Sequence, residues 1–179
     1  RAGSLFEPVA GERFDLIATN PPFVISPATG ERLIYRDSGL PGDRVVEHIL
    51  RGSVDHLTDG GWCQILANWA IVRGADWDVV QRETLDPAEY VELWLKDSGH
   101  HGAPDYPQRY AAWLAWLRDQ RIGGVGFGWI NLRRTSGTPI REFLDWPHAV
   151  EQPIGAGIGA WAEAHTRLAA TTDDALLDA

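Results

Sequence analysis

The 179 residues hold a single cysteine, Cys63. A disulfide framework is therefore excluded, and a lone thiol inside an apolar run fits a reducing, cytoplasmic interior. Basic residues are also scarce: Lys and Arg number 16 against 25 Asp and Glu, a net charge of −9 at pH 7. That balance argues against a broad nucleic-acid surface, leaving room only for a small basic site or a basic partner domain. No apolar run approaches the roughly 20 residues of a membrane span, so no membrane partner is expected. The start, Arg1-Ala2-Gly3-Ser4, does not read as a signal peptide. What the chain does have is core material. With 44% hydrophobic residues and 9 tryptophans, disorder is excluded, and the length suits one domain.

The chemistry gathers at Phe14-Asp15-Leu16-Ile17-Ala18-Thr19-Asn20-Pro21-Pro22-Phe23. Phe14 to Ala18 is a short apolar run with one charge, the pattern of a strand buried on both faces of a parallel sheet. Pro21 and Pro22 end it, because proline cannot donate to a ladder and forces the preceding residue out of the helical region. Ligands of open α/β sheets sit outside the carboxyl ends of the strands, so Asn20 is a polar side chain where a ligand is expected. Its carbonyl and the backbone carbonyl of Pro21 are two acceptors that can hold both hydrogens of one planar –NH2 group. Phe23 can lie against the flat face of that amide or base. Such a nitrogen is a poor nucleophile with a delocalised lone pair, and orienting it is the stabilisation a transferase needs. A strand-terminating turn with a buried phenylalanine would use the same residues.

This stretch, preceded by Gly3-Ser4-Leu5-Phe6 and followed by Leu57-Thr58-Asp59-Gly60-Gly61-Trp62, resembles the class I S-adenosylmethionine-dependent methyltransferases. More narrowly it is similar to their Asn-Pro-Pro-aromatic branch, which methylates planar nitrogens: exocyclic amines of adenine or guanine, or the side-chain amide of glutamine. The match covers residues 3–71 well and the remainder in outline. It implies an α/β fold: the carboxyl-terminal half of a Rossmann-like methyltransferase sheet, with helices on both faces and a final antiparallel strand. It further implies S-adenosyl-L-methionine as cofactor, Asn20, Pro21, Pro22 and Phe23 as the catalytic motif, and no metal. Ser4, the Leu5 backbone and Asn20 would meet the cofactor, although serine replaces the family's frequent aspartate and an ordinary turn hydroxyl would look the same. The main functional expectation is N-methylation of an exocyclic amine of an RNA base, an RNA-modification role. The alternatives are a protein-glutamine N-methyltransferase and a non-catalytic binding module of the same fold.

Only 19 residues precede Asn20, too few for the family's first strand, Gly-rich turn and acidic ribose partner. A remainder of the same polypeptide is therefore expected, and these residues alone are expected to be inactive. Gly155-Ala156-Gly157-Ile158-Gly159 does not follow a strand, and Gly123-Gly124-Val125-Gly126 opens one, so neither has the context of a dinucleotide fingerprint.

After Phe23 a polar loop, residues 26–43, contains Tyr35 and Arg36, which could hold a flat or anionic substrate or merely be solvated. Val45, Val46, Ile49, Leu50, Val54 and Leu57 recur at helical spacing, and Asp59-Gly60-Gly61 is expected to end that helix. Residues 62–71 read as the next buried strand, with Asn68 and Trp69 near its carboxyl end as substrate-binding candidates, and Cys63 as a packed thiol. Residues 78–83 read as a further strand, yet too few residues precede it for a parallel crossover. Missing residues between Trp77 and Asp78, and strands running in the same sense, are expected. Asp86-Pro87-Ala88-Glu89 starts a helix running to Asp97, and residues 107–121 form a second with Tyr110, Trp113, Leu114 and Leu117 on one stripe. His100 and His101 are adjacent and do not share a face, so they read as loop histidines rather than metal ligands. Residues 124–134 are the expected final strand, with Arg133 and Arg134 a phosphate contact or a solvated strand end. The methyltransferase domain is placed at residues 1–146, and a truncated helical extension, including a helix over residues 154–170, at 147–179.

Overall fold

The computed structural model describes residues 1–27, 42–72, 83–137, 140–146 and 148–172. Tyr35, Arg36 and the Trp77–Asp78 junction lie outside the described residues. The chain divides into two compact units, one of Arg1–Thr138 and Glu142–Pro147, the other of Pro139–Arg141 and His148–Ala179.

The first unit is built on a four-stranded sheet in the order β1-β2-β4-β3, where β1 is Phe14–Thr19, β2 Leu57–Val72, β3 Glu83–Leu85 and β4 Ile122–Arg133. β1 and β2 are parallel, and β4 runs antiparallel to both β2 and β3. β2 and β3 therefore run in the same sense with the antiparallel strand between them, as the expected final strand requires. Side chains alternate across a strand, so each face collects one set. Cys63, Ile65, Ala67 and Trp69 of β2 join Ile130 and Leu132 of β4 on one face. Against them pack Val45, Val46 and Ile49 of helix α1 (Arg44–His56). Ala70, Val125 and Phe127 lie on the other face with Tyr90, Val91, Trp94 and Leu95 of α2 (Pro87–Asp97) and Trp113 and Leu117 of α3 (Tyr106–Asp119). Helices thus cover both faces.

Three expectations are corrected. β1 is not buried on both faces: among the described strands it is an outer one, Ile17 packs toward α1, and Leu16 is 58% exposed because no helix among the described residues covers its side. Asp59-Gly60-Gly61 does not end α1. The helix stops at His56, and the three residues belong to β2. There the register jumps from Phe14↔Leu57 to Leu16↔Trp62, a bulge in which Gly60 takes φ +81°, a conformation that favours glycine. Val54 is exposed, and the buried position on that turn is taken by Ser53, whose hydroxyl donates to the Leu50 carbonyl. Of the strand expected over residues 78–83, only Glu83 is described, and it begins β3.

The second unit carries α4 (Gly155–Ala170), whose described residues are half-buried or exposed. Its glycines 155, 157 and 159 have open space around them. Among the described residues no helix is long and apolar enough to cross a membrane.

Candidate functional site

β1 ends at Thr19, opposite Ile65 of β2. Asn20 follows with an exposed side chain, while Pro21 is buried and Phe23 half-buried. The proline pair thus holds the asparagine at the carboxyl end of a strand, in solvent, on a backbone with little freedom. Phe23 packs against both hydrophobic clusters and meets Trp94 edge-on, with ring centroids 6.4 Å apart. Val24, Ile25 and Ser26 then pass into the interior. Both backbone groups of Ile25 are held there. Its N–H donates to the Tyr90 hydroxyl at 2.7 Å, and its carbonyl accepts from the Trp113 indole at 3.2 Å.

Asn68 lies on β2 three residues beyond Ile65, level with the continuation of the motif. It is 1% exposed, and among the described residues neither its amide nitrogen nor its amide oxygen has a hydrogen-bond partner. It pairs across the sheet with Phe127, on the face covered by α2 and α3. Trp69 projects to the opposite face, in the cluster under α1. Its indole crosses Gly126, where an added Cβ would stand 2.3 Å from Nε1. Trp69 is a packed core residue whose indole N–H has no partner among the described residues. Beside it, the Asp43 carboxylate accepts from the Ala70 N–H at 3.3 Å, tying the start of α1 to the end of β2.

Ser4 and Leu5 are exposed in the turn before the single 3-10 turn Glu7–Val9. Leu5 takes φ 46°, and the polar contacts of Ser4 are local: its N–H reaches the Glu7 carboxylate and its carbonyl accepts from the Glu7 N–H. Phe6 stacks on His56 at 4.5 Å and fills the space over Gly52, in the last turns of α1. That anchorage is on the side where β1 begins. Among the described residues neither Ser4 nor Leu5 has a hydrogen bond to the motif. The Gly123–Gly126 stretch is used for sheet packing, with Gly124 against the Leu85 carbonyl and Gly126 beneath Trp69.

Other candidates have structural partners. Arg134 donates to the carbonyls of Val54 and Leu57 and pairs with Asp59 at 3.0 Å, closing the carboxyl end of α1, where a cation is favoured. The Arg133 guanidinium lies over Trp62. His100 contacts the Ser98 hydroxyl, and His101 the Tyr106 ring. Cys63 is fully buried, and burial pushes its thiol above the ordinary range, against a smaller opposing effect of a hydrogen bond with Ser53. The sequence reading missed both supports of the motif: it places Trp113 in an apolar stripe and does not single out Tyr90. The available signal was chemical: a tyrosine and a tryptophan in a buried stripe carry an O–H and an N–H that need partners.

No family model matches the chain. Among curated proteins it is similar to the ribosomal protein uL3 glutamine methyltransferase of Bradyrhizobium diazoefficiens, at 41% identity over 112 residues. That match covers 56% of this chain and 31% of the relative. It is also similar to the release factor glutamine methyltransferase of Xylella fastidiosa, at 33% identity over 79 residues, covering 38% of this chain and 28% of the relative. The chain thus spans about a third of the length of the curated relatives it matches, and both of these are named as methyltransferases of glutamine.

Proposed function

We propose that the protein transfers a methyl group from S-adenosyl-L-methionine to the side-chain amide nitrogen of a glutamine in a protein substrate. The observation that carries this reading is Asn20, exposed immediately past the carboxyl end of β1 and followed by a buried proline. The names of the two relatives support the choice of glutamine. A net charge of −9 also weighs against the RNA-base substrate first expected from the motif. A membrane has no part in this reading, and the expected setting is the cytoplasm.

The work falls to a few groups. An amide nitrogen is planar and weakly nucleophilic, so its hydrogens must be held while its lone pair turns toward the methyl donor. The Asn20 Oδ1 and the Pro21 carbonyl accept one hydrogen each. Phe23, fixed against Trp94, limits the tilt of the amide plane. The buried Asn68, with both ends of its amide unpartnered among the described residues, can hydrogen-bond the acceptor's own carbonyl or amide once that group displaces nearby side chains. The cofactor, when bound, supplies an electrophilic methyl on sulfonium. Asn20, exposed past the carboxyl end of β1, is the residue of this chain proposed to contact it; Ser4 and Leu5, also exposed, lie next to Phe6 on the side where β1 begins and are the weaker candidates. Tyr35 and Arg36, outside the described residues, remain proposed as substrate-binding residues.

The test uses the full-length protein, labelled cofactor, glutamine-bearing peptides of translation proteins, and total RNA. Transfer to peptide is expected. Asn20→Ala should lower turnover by about 10²-fold or more, the scale of losing one such contact, with a smaller change in cofactor affinity. Label in RNA alone would return the substrate to a base amine, and unchanged turnover in Asn20→Ala would leave the motif a structural turn.

A further inference from the structure

The segment that leaves the motif is gripped by helices that belong to a different part of the chain. Residues 24–26 are buried, and Ile25 gives both of its backbone polar groups to side chains rather than to a strand or helix. The acceptor for its N–H is Tyr90 on α2, and the donor to its carbonyl is Trp113 on α3. Tyr90 and Trp113 pack edge to face, with centroids 6.5 Å apart, so the two holding groups brace each other. One turn along α2 from Tyr90, Trp94 braces the Phe23 ring. Three contacts from the α2–α3 pair therefore fall within three consecutive residues, Phe23 to Ile25. α2 itself is fixed at its start by a full capping box at Asp86 and Glu89.

We infer that Tyr90 and Trp113 are positioning residues: they set the register and tilt of the Asn20–Phe23 loop through the Ile25 backbone. The inference rests on the reading of Asn20 above, and deepens it by making the α2–α3 pair part of the acceptor site. The physical reason is leverage. A buried peptide group keeps its hydrogen bonds, so the loop can move only if Ile25 finds other partners. Two prolines then transmit that position to Asn20 with little slack. A misplacement of about 1 Å in a reacting geometry is enough to cost up to 10²-fold in rate. The Tyr90 hydroxyl thus matters for transfer although it need not touch the substrate.

Tyr90→Phe keeps the ring and removes the acceptor of the Ile25 N–H. Trp113→Phe removes the donor to its carbonyl. Leu117→Ala serves as a comparison, since Leu117 is fully buried in the same cluster on α3 without a polar contact to the loop. Two measurements are made on the full-length protein: amide hydrogen exchange at residues 24–26, and methyl-transfer kinetics below the melting temperature. In Tyr90→Phe, exchange at Ile25 should speed up at least tenfold while helix amides of α1 keep their rates. Its kcat should fall about tenfold to 10²-fold with little change in cofactor affinity. Leu117→Ala should lower the melting temperature and leave kcat near the parent value. The inference is overturned if Ile25 exchange is unaffected, if kcat stays unchanged in Tyr90→Phe, or if Leu117→Ala slows transfer as much. A parent protein that transfers no methyl group overturns the proposed function instead, and the exchange data then decide the clamp by themselves.

Discussion

Asn68 shows how a single residue can carry a cost that the fold does not explain. A buried amide with both ends unpaired loses its hydration without compensation, a penalty of about 1–3 kcal/mol for each such group. Replacing it by an apolar side chain of similar shape should therefore stabilise the protein. Asn68→Leu is expected to raise the unfolding free energy by about 1–3 kcal/mol in urea titration while weakening acceptor binding. If it destabilises instead, the amide has partners that matter to the fold, and its role as a waiting contact fails. Cys63 makes the opposite case. Burial raises its thiol, so folding favours the protonated form. A group whose folded value lies above its unfolded one stabilises below the ordinary thiol range, about 8.5, and loses that contribution as pH rises through the raised value. The native protein should resist alkylation at pH 8, react only on unfolding, and lose stability above about pH 8.5. Rapid labelling of the native state would contradict this. Cys63 could be placed from sequence as a packed thiol because its neighbours are apolar. The isolation of Asn68 could not, since it depends on what stands across the sheet.

Helices were the most legible elements, and α2 shows why. Asp86-Pro87-Ala88-Glu89 states its own start, and the Asp86 carboxylate accepts from the N–H groups of Ala88 and Glu89 at 2.7 and 2.9 Å. Its end at Asp97 matches as well. Such signals are local, so they survive without knowledge of the fold. Asp86→Ala should cost about 1 kcal/mol, read as a shift in the denaturation midpoint with an unchanged slope. Because α2 carries Tyr90 and Trp94, exchange at Ile25 should rise in the same variant. An unchanged midpoint would show the helix held by packing alone. Strands were less legible. β1 is an apolar run, and composition alone reads as burial on both faces. Its exposure at Leu16 depends on which helices reach that side. The boundary of β2 was missed for a related reason, because Asp59-Gly60-Gly61 has the composition of a turn and is used in a bulge.

For the first unit as a whole, the order β1-β2-β4-β3 with one reversed strand agreed with the topology implied by the motif. Sequence spacing could not by itself show that β4 inserts between β2 and β3. The result is a sheet with two separate cores, α1 on one face and α2 with α3 on the other. Phe23 packs against both, so the motif's aromatic is also a joint of the fold. That arrangement has a measurable signature. Ile49→Val removes one methylene beneath α1 and should cost about 0.5–1.5 kcal/mol. Val91→Ala on the opposite face should cost about 2 kcal/mol from two lost methyl groups and the space they leave. Lying on opposite faces of the sheet, these two should add to within about 0.5 kcal/mol in equilibrium unfolding. Phe23→Ala should cost somewhat less than the 3–5 kcal/mol of a fully buried ring, since it is half-buried. In double variants it should couple to each of the others by about 0.5 kcal/mol or more, the mark of residues that share a contact. Strong coupling between Ile49 and Val91 themselves would mean that the sheet does not separate the cores. Simple additivity of Phe23 with both would mean that it only rests at their edge, and that the motif loop is held by the Ile25 backbone alone.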